Sequence, residues 1–218
     1  MAAPAKTLTR RDRNKLRNQQ EILAAALTVF AEKGYRDASM QEIAERADFA
    51  VSTLYALFES KEDLYRQVSV DIGRRTGGIF EAAMARGSNA HEKLVHYARA
   101  KGEAYRESPP GVKMLEHELH AMRMEGVSSF PKNGIGRIYE RFMLRIRALF
   151  EEGIAQGLFV PGDPVLMSMG LDSITNGLML LAQSKDAAFT YDERVDEVIN
   201  LFFAPVLAKP PADNAKET

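Results

Sequence analysis

The side chains best placed to do chemistry in this 218-residue chain are two histidines in a short acidic segment, which contains Glu116, His117, Glu118 and His120. His117 and His120 are three residues apart, so on a helix they share a face and both could bind one metal ion. The pattern is not the HExxH motif of zinc hydrolases, and the sequence offers no clear third ligand. Solvated or hydrogen-bonded histidines are therefore favoured, and we predict no metal and no cofactor.

Other catalytic patterns are missing from the sequence. It contains no Gly-rich phosphate loop, no serine nucleophile elbow and no paired-carboxylate motif. It has no cysteine, which excludes a disulfide framework, a thiolate metal site and a thiol nucleophile, and agrees with a cytoplasmic protein. We predict that the chain is not an enzyme, with a metal-dependent hydrolase centred on His117 and His120 as the alternative.

Positive charge is concentrated at the N-terminus. The formal net charge is −1, yet residues 1–20 hold six basic side chains and a single acid, Asp12. Such a segment is typical of a solvated flexible arm or of an arm that contacts nucleic acid. No apolar stretch precedes Glu21, so the segment lacks the apolar core of a signal peptide. No run of about 18 apolar residues occurs, which on length excludes a membrane span.

Apolar residues recur at spacings of three and four, and strand alternation is nearly absent, so the predicted fold is all-α. A first amphipathic helix contains Ile22 to Phe30 and ends near Gly34, where glycine permits a left-handed cap. Ser39 and Glu42 form a capping box that opens a second helix. A third covers residues 51–58, and Ser60 with Asp63 opens a fourth that runs toward Ala85.

Longer helices follow, separated by Gly, Pro or Ser breaks at residues 86–90, 108–111, 126–131 and 157–162. Asp163 caps a helix that runs toward Ser184, with proline at its first position. Thr190 and Glu193 open the last helix with a capping box. We predict a basic flexible arm at 1–17, a helix-turn-helix domain at 18–66, a larger helical domain at 67–208 and a disordered tail at 209–218.

The short helices between residues 21 and 58 favour a helix-turn-helix, with helix 39–46 as the brace and helix 51–58 as the reader in the major groove. Leu54 and Phe58 face one side of the reader, which leaves its other side chains for a second surface. An exposed tyrosine between hydroxyl side chains suits phosphates and base edges. The alternative is a small helical subdomain in which Tyr55 is half buried.

These residues carry a family resemblance. The stretch Ser39–Leu64, SMQEIAERADFAVSTLYALFESKEDL, resembles the DNA-binding signature of the tetracycline-repressor (TetR) family, and the preceding AALTVFAEKGY resembles the family's first helix. The resemblance covers roughly residues 18–66. The matching residues are Ile43, Ala44, Ala47, Thr53, Leu54, Tyr55, Phe58, Ser60, Lys61, Glu62 and Leu64.

The resemblance implies a two-fold dimer whose reading helices lie in successive major grooves of a palindromic operator on double-stranded DNA. It also implies that Thr53, Tyr55 and Lys61 contact backbone phosphates, and Ser39 fits the same role. Hydroxyl and amine groups donate to phosphate oxygens, and lysine adds a salt-sensitive attraction. The predicted DNA-binding residues are Ser39, Val51, Ser52, Thr53, Tyr55, Leu57, Lys61, Arg10, Arg11 and Arg13.

The chain departs from the family pattern in and around the turn. Asp48 stands where the family has a glycine, Phe49 replaces a smaller apolar residue, and Ala50 replaces the usual Ser or Thr. Ser52 replaces a glycine, and Leu57 replaces a His or Tyr. Ala50 cannot cap, so we expect Asp48 to take over. The basic arm could restore the attraction by following the backbone or entering the minor groove. The alternative is a helical interaction module that has lost DNA binding.

The resemblance further implies that helices 163–184 and 190–207 pair across the two-fold axis and that a small effector binds in the C-terminal domain. The apolar residues offered for pairing are Leu166, Met169, Ile174, Leu178, Leu181, Val195, Val198, Ile199, Phe202 and Phe203. Methionines adapt to irregular apolar ligands, and a few polar groups orient them. We predict a largely apolar effector that releases a repressor from DNA. The predicted lining residues are Met114, His117, Met122, Phe142, Ile146, Asn176 and Met179.

Overall fold

The computed structural model describes residues 9–115 and 135–208, which are mainly helical. Within these ranges the only paired extended backbone is an isolated bridge between Phe159 and Leu207, so the predicted all-α fold is confirmed. The helices are α1 (Arg10–Asp37), α2 (Met40–Arg46), α3 (Val51–Leu57), α4 (Lys61–Met84), α5 (Ala90–Glu107), α6 (described over residues 109–115), α7 (Ile135–Ala155), α8 (Pro164–Ala182) and α9 (Tyr191–Phe203).

The chain forms two compact units. The N-terminal unit comprises Met1–Arg74 and Ser108–Arg137, and the C-terminal unit comprises Arg75–Glu107 and Ile138–Thr218. Helix α4 contributes residues to both units. The N-terminal unit has its own apolar core, in which side chains from α1 to α4 surround Ile22, Phe30 and Leu54. The core of the C-terminal unit includes a group of phenylalanines, Phe150, Phe159, Phe202 and Phe203.

Helix α1 begins at Arg10, much earlier than the sequence indicated. Thr9 Oγ1 accepts a hydrogen bond from the Asp12 amide at 3.2 Å, and Asp12 Oδ2 accepts one from the Thr9 amide at 3.1 Å. This reciprocal capping box starts the helix among polar residues, where no apolar periodicity reveals it. The hydrogen bonds from Thr9 also lower the pKa of Asp12. The predicted flexible arm is therefore wrong for residues 10–17, which are helical.

Several predicted helix ends are confirmed. Gly34 has a φ of 78° and interrupts helical geometry at the predicted place, although helical residues resume as far as Asp37. Asp163 accepts from the Val165 amide at 2.8 Å with Pro164 at the first helical position, and the capping box of Thr190 is present. At α2 only half of the predicted box forms, because Ser39 accepts from the Glu42 amide while the Glu42 carboxylate pairs with Lys33 at 2.7 Å.

The break at 108–111 is a single residue, since α6 starts at Pro109, a residue type that suits the first position of a helix. The break at 126–131 lies outside the described residues, as does the tail after residue 208.

Helix α8 bears on the predicted absence of a membrane span. By length and composition alone it could cross a membrane, so length by itself does not exclude α8. The finding is weak evidence for a span, because the core helix of a soluble protein passes the same test.

Candidate functional site

The turn between α2 and α3 is closed by backbone hydrogen bonds and contains no glycine. The Asp48 amide donates to the Glu45 carbonyl at 3.2 Å, and the Phe49 amide donates to the Ala44 carbonyl at 3.0 Å. This pair of bonds is the Schellman arrangement, which requires a left-handed residue just after the helix. Asp48 supplies it with a φ of 59°. At the start of α3, no side chain forms a capping hydrogen bond. Asp48 therefore ends α2 but does not cap α3, and the predicted transfer of capping from Ala50 to Asp48 is not observed.

Helix α3 is anchored on the side that the sequence predicted. Leu54 and Phe58 are fully buried in the apolar core of the N-terminal unit, which accounts for their spacing of four. Val51 and Leu57 also pack partly against this core, so both offer less surface to DNA than the sequence indicated.

Two polar residues of α3 remain on its outer surface. Ser52 is exposed, and Tyr55 is 57% exposed. Thr53 is partly exposed beside them. Ser39, at the start of α2, is exposed as well and uses its hydroxyl oxygen as an acceptor for the Glu42 amide, which leaves its hydroxyl proton for another acceptor. These four residues present hydroxyl groups of the kind that donate to phosphates.

Lys61 has a different environment from the one expected. Its Nζ donates to the carbonyls of Tyr35 at 2.8 Å, Arg36 at 3.2 Å and Ala38 at 2.8 Å. The same nitrogen lies 4.6 Å from the centre of the Tyr35 ring. An ammonium group has three donors, and here all three have carbonyl partners at the end of α1. A phosphate contact would therefore require Lys61 to give up one of these bonds.

Aromatic rings reinforce the same junction. The Tyr65 ring of α4 lies 4.9 Å from Phe30 and 4.9 Å from Tyr35, in edge-to-face geometry in both cases. Such pairs add stabilisation beyond the apolar area they bury. Lys61 and Tyr65 together fasten the start of α4 to the end of α1, and α3 is held in the short segment between α2 and α4.

The basic residues of the N-terminus project from a helix. Arg10, Arg11 and Arg13 are exposed on the first turns of α1, together with Lys15 and Arg17. Arg17 forms an ion pair with Glu21 at 3.5 Å. We call Arg10, Arg11 and Arg13 the N-terminal cations. Their placement on a helix corrects the expectation that they belong to a flexible arm.

The predicted effector-binding residues fall into three groups. Met114 is 2% exposed and belongs to the apolar core of the N-terminal unit. His117 and Met122 lie outside the described residues, together with His120. In the remaining parts of the chain no group of three or more metal-ligating side chains occurs. Phe142, Ile146, Asn176 and Met179 belong to the C-terminal unit.

A buried polar cluster that the residue pattern did not predict lies beside Asn176. Asp172 Oδ1 accepts from the Tyr97 hydroxyl at 2.9 Å and from Lys101 Nζ at 2.7 Å, and Oδ2 accepts from the Tyr139 hydroxyl at 2.7 Å and from Asn176 Nδ2 at 3.0 Å. Lys101 also donates to Asn176 Oδ1 at 2.7 Å. We call these five residues, from α5, α7 and α8, the buried polar network.

The charges of the network stabilise each other. Burial by itself would raise the pKa of Asp172, but the charge of Lys101 and the hydrogen bonds from Lys101, Tyr139 and Tyr97 lower it. Burial and the nearby Asp172 carboxylate raise the pKa of Tyr97. Asp172 therefore stays ionised inside the unit. Its sequence signal was available, because Asp172 is the single charged residue of the apolar helix α8.

One face of α8 is exposed along the whole helix. Leu166, Met169 and Leu180 are 66%, 46% and 67% exposed, and Ser173 and Gly177 lie on the same stripe at spacings of three and four. Leu181 and, on α9, Leu201 add further exposed apolar surface. Four of the residues offered for subunit pairing are instead buried within the chain: Leu178, Val195, Ile199 and Phe203.

The described residues thus form a helix-turn-helix with an exposed reader, attached to a helical unit that has an apolar outer face and a polar interior site. This combination defines a helical DNA-binding regulator. Residues 22–68 match the family model for bacterial regulatory proteins of the tetR family.

Known proteins of the same type are similar over most of the chain. The uncharacterized HTH-type transcriptional regulator YfiR of Bacillus subtilis is 27% identical over 154 residues, which are 70% of this chain and 73% of YfiR. The HTH-type transcriptional repressor KstR2 of Mycolicibacterium smegmatis is 27% identical over 158 residues, 72% of this chain and 71% of KstR2. The crystal structure of AibR with isovaleryl coenzyme A and operator DNA has a similar fold, with a TM-score of 0.68, 20% identity, and coverage of 87% of this chain and 100% of AibR.

Residues 22–68 therefore form a DNA-binding domain of the tetR type, and about 70% of the chain is similar to transcriptional regulators of the helix-turn-helix type. The resemblance noted in the sequence is confirmed.

Proposed function

We propose that this protein is a transcriptional repressor that binds a palindromic operator as a homodimer and leaves the DNA when a small, largely apolar effector binds its C-terminal unit. The match of residues 22–68 to the tetR family model and the helix-turn-helix support the DNA-binding part. KstR2 is named a repressor, and AibR is described with both isovaleryl coenzyme A and operator DNA. The proposal gives this chain the same kind of dual binding, in the cytoplasm and without catalysis.

The observation that carries the proposal is the exposure of Tyr55. A tyrosine that is 57% exposed between two fully buried anchors, Leu54 and Phe58, contributes little to the core. Its position on the reading helix, next to Ser52 and Thr53, suits contacts with phosphates and base edges. We propose Ser39, Ser52, Thr53 and Tyr55 as the polar contacts with DNA, with peripheral apolar contacts from Val51 and Leu57.

The N-terminal cations are the second proposed contact with DNA. These three arginines are exposed, as are Lys15 and Arg17, and Asp12 is the one acid between residues 10 and 20. Because they are fixed on a helix, we propose that they follow the phosphate backbone, where each contact contributes a salt-dependent attraction.

The exposed stripe of α8 is the proposed dimer contact. Apolar side chains as exposed as Leu166 and Leu180 are costly on a monomer surface when they lie in one continuous row. A second copy of the chain would cover them through a two-fold arrangement of α8 and α9, in which the small residues Ser173 and Gly177 allow the two α8 helices to approach closely. Because α4 contributes residues to both units, we propose that it carries the effect of ligand binding to the reading helix.

The experiment measures binding of the purified protein to the DNA flanking its own gene, by fluorescence anisotropy across a salt series. Tyr55→Phe removes one exposed hydroxyl and keeps the ring, so the fold should be unaffected. A hydrogen bond to a charged group contributes about 1.5–3 kcal/mol, so each lost phosphate contact should weaken binding roughly 10- to 100-fold. Tyr105→Phe, on α5 of the C-terminal unit, is the matched control and should bind like the wild type.

A folded dimer that binds this DNA no better than random DNA would contradict the proposal. Such a result would favour the helical interaction module that has lost DNA binding. Equal affinities of wild type and Tyr55→Phe would leave DNA binding intact and remove Tyr55 from the contact surface.

A further inference from the structure

The buried polar network is not explained by stability. Lys101 and Asp172 are 7% and 4% exposed, and their charged atoms are 2.7 Å apart. Removing two charges from water is costly, and apolar side chains of similar volume usually serve a core at least as well as a buried ion pair. Apolar side chains at both positions would serve this core as well, whereas removing only one partner leaves a buried charge without its counterion and is destabilising. The network therefore points to recognition of a ligand.

The network has an accessible edge. Tyr139 and Asn176, which both donate to Asp172 Oδ2, are partly exposed, whereas Tyr97 is fully buried. Phe80 and Phe142 are also partly exposed, and each ring lies 5.2 Å from the Tyr97 ring. A molecule that enters from this side meets the donors of Oδ2 and an aromatic surface together. An apolar surface with a few oriented polar groups is the usual composition of a small-molecule site.

The charge balance restricts the ligand. Among the described residues, Lys101 and Asp172 are the charged members of the network, and they neutralise each other. A carboxylate ligand would bring a second anion next to Asp172, and placing an additional charge in a buried site is strongly unfavourable. A hydroxyl group can replace the Tyr139 hydroxyl as donor to Oδ2 without changing the number of charges.

This inference rests on the proposed function and makes its ligand specific. We propose that the buried polar network is the recognition site for the effector, and that the effector is an uncharged, largely apolar molecule with a hydroxyl group that donates to Asp172 while its apolar body lies against Phe80 and Phe142.

The test compares probes that share one apolar body, using the full-length protein. The first series is 2-naphthol, naphthalene and 2-naphthoate, and the second is 1-octanol, octane and octanoate. Binding is measured by titration at neutral pH and by the rise in Tm. In at least one series the alcohol should bind about tenfold or more tightly than both the hydrocarbon and the carboxylate, because a hydrogen bond to a carboxylate is strong when it is shielded from water.

Two variants distinguish recognition from a structural role. Tyr139→Phe vacates one position on Oδ2 without changing charge, so the alcohol should bind severalfold more tightly while the hydrocarbon is unaffected. Asp172→Asn should reduce the preference for the alcohol over the hydrocarbon. If Asp172→Asn does not fold, Tyr139→Phe decides alone, since a purely structural network predicts an unchanged ratio of the two affinities.

Preference for the carboxylate, equal affinities for alcohol and hydrocarbon, or no binding of any probe would each overturn the inference. Operator binding is measured separately, so the two proposals can fail independently. A protein that binds its operator but prefers the carboxylate remains a repressor with a different effector. A protein that binds the alcohol and no DNA retains the site and contradicts the proposed function.

Discussion

Replacing Lys61 by methionine separates two roles for a residue that the family pattern assigns to phosphate binding. In the structure its amine donates to three carbonyls at the end of α1. Methionine keeps the length of the side chain and removes every donor. A cation at the end of a helix contributes about 0.3–1 kcal/mol when exposed, and hydrogen bonds from charged groups contribute more, so we expect a loss of about 1–3 kcal/mol. For a chain of this size that loss lowers Tm by about 2–12 °C.

The salt dependence of DNA binding gives the second readout. Each phosphate contact adds about 0.9 to the slope of log affinity against log salt concentration, so a dimer that loses two such contacts should lose about 1.8. If Lys61 acts by positioning α3 and α4, the slope should stay the same while the affinity falls uniformly. Calorimetry and anisotropy titrations measure the two quantities on the same preparation.

Lys61→Arg is the matched control. Arginine keeps the positive charge, but its planar guanidinium cannot reproduce a compact ammonium group between three carbonyls. The positioning role predicts that Lys61→Arg also lowers Tm. An unchanged Tm in both variants, with a lower salt slope only in Lys61→Met, would refute the reasoning and restore the phosphate contact.

Four further outcomes are expected. Asp48→Gly should raise the free energy of unfolding by up to about 1 kcal/mol, because glycine adopts a positive φ without steric cost; lower stability in denaturant titration would contradict this. Replacing the three N-terminal cations by glutamine should lower the salt slope by up to about 5 per dimer, and an unchanged slope would place them away from DNA. Leu180→Glu should give monomers in sedimentation, while Leu144→Glu on α7 should remain dimeric, and a dimeric Leu180→Glu would move the interface elsewhere. The folded-state pKa of Asp172 is lowered, so the stabilisation from its ionised form is complete above its unfolded pKa of about 3.9 and is lost as pH falls through the folded value. Asp172→Asn should therefore be less stable than the wild type at neutral pH, and its free energy of unfolding should fall less steeply in acid. An equally steep fall in both proteins would contradict the assignment.

Local signals were sufficient for much of the fold. Gly34, Asp163 and Thr190 marked helix ends because each has a conformation or a hydrogen bond that depends on neighbouring residues only. The anchors Leu54 and Phe58 followed from their spacing on one helix. The same reasoning failed at Thr9, because the capping box there begins a helix whose first residues are polar and show no apolar periodicity.

The contacts between buried side chains could not be predicted from the spacing of residues along the sequence. The sequence predicts Met114 as an effector-lining residue, but it packs in the core of the N-terminal unit. The sequence of a buried methionine does not show which core it joins. Lys101 has the spacing of a buried residue after Leu94 and Tyr97, and its partner Asp172 is 71 positions away. Their pairing is a property of how α5 and α8 pack, which no single helix encodes.

The closed turn at Asp48 has a thermodynamic consequence. Because backbone hydrogen bonds fix the link between α2 and α3 without glycine, the two helices are ordered before they meet an operator, and little conformational entropy remains to be lost on association. The heat-capacity change of operator binding should then match the apolar surface covered at the contact, without the additional change that accompanies folding of a segment on DNA. Binding of this kind is docking of two preformed surfaces, and its rate is set by diffusion and by the charges that steer the encounter.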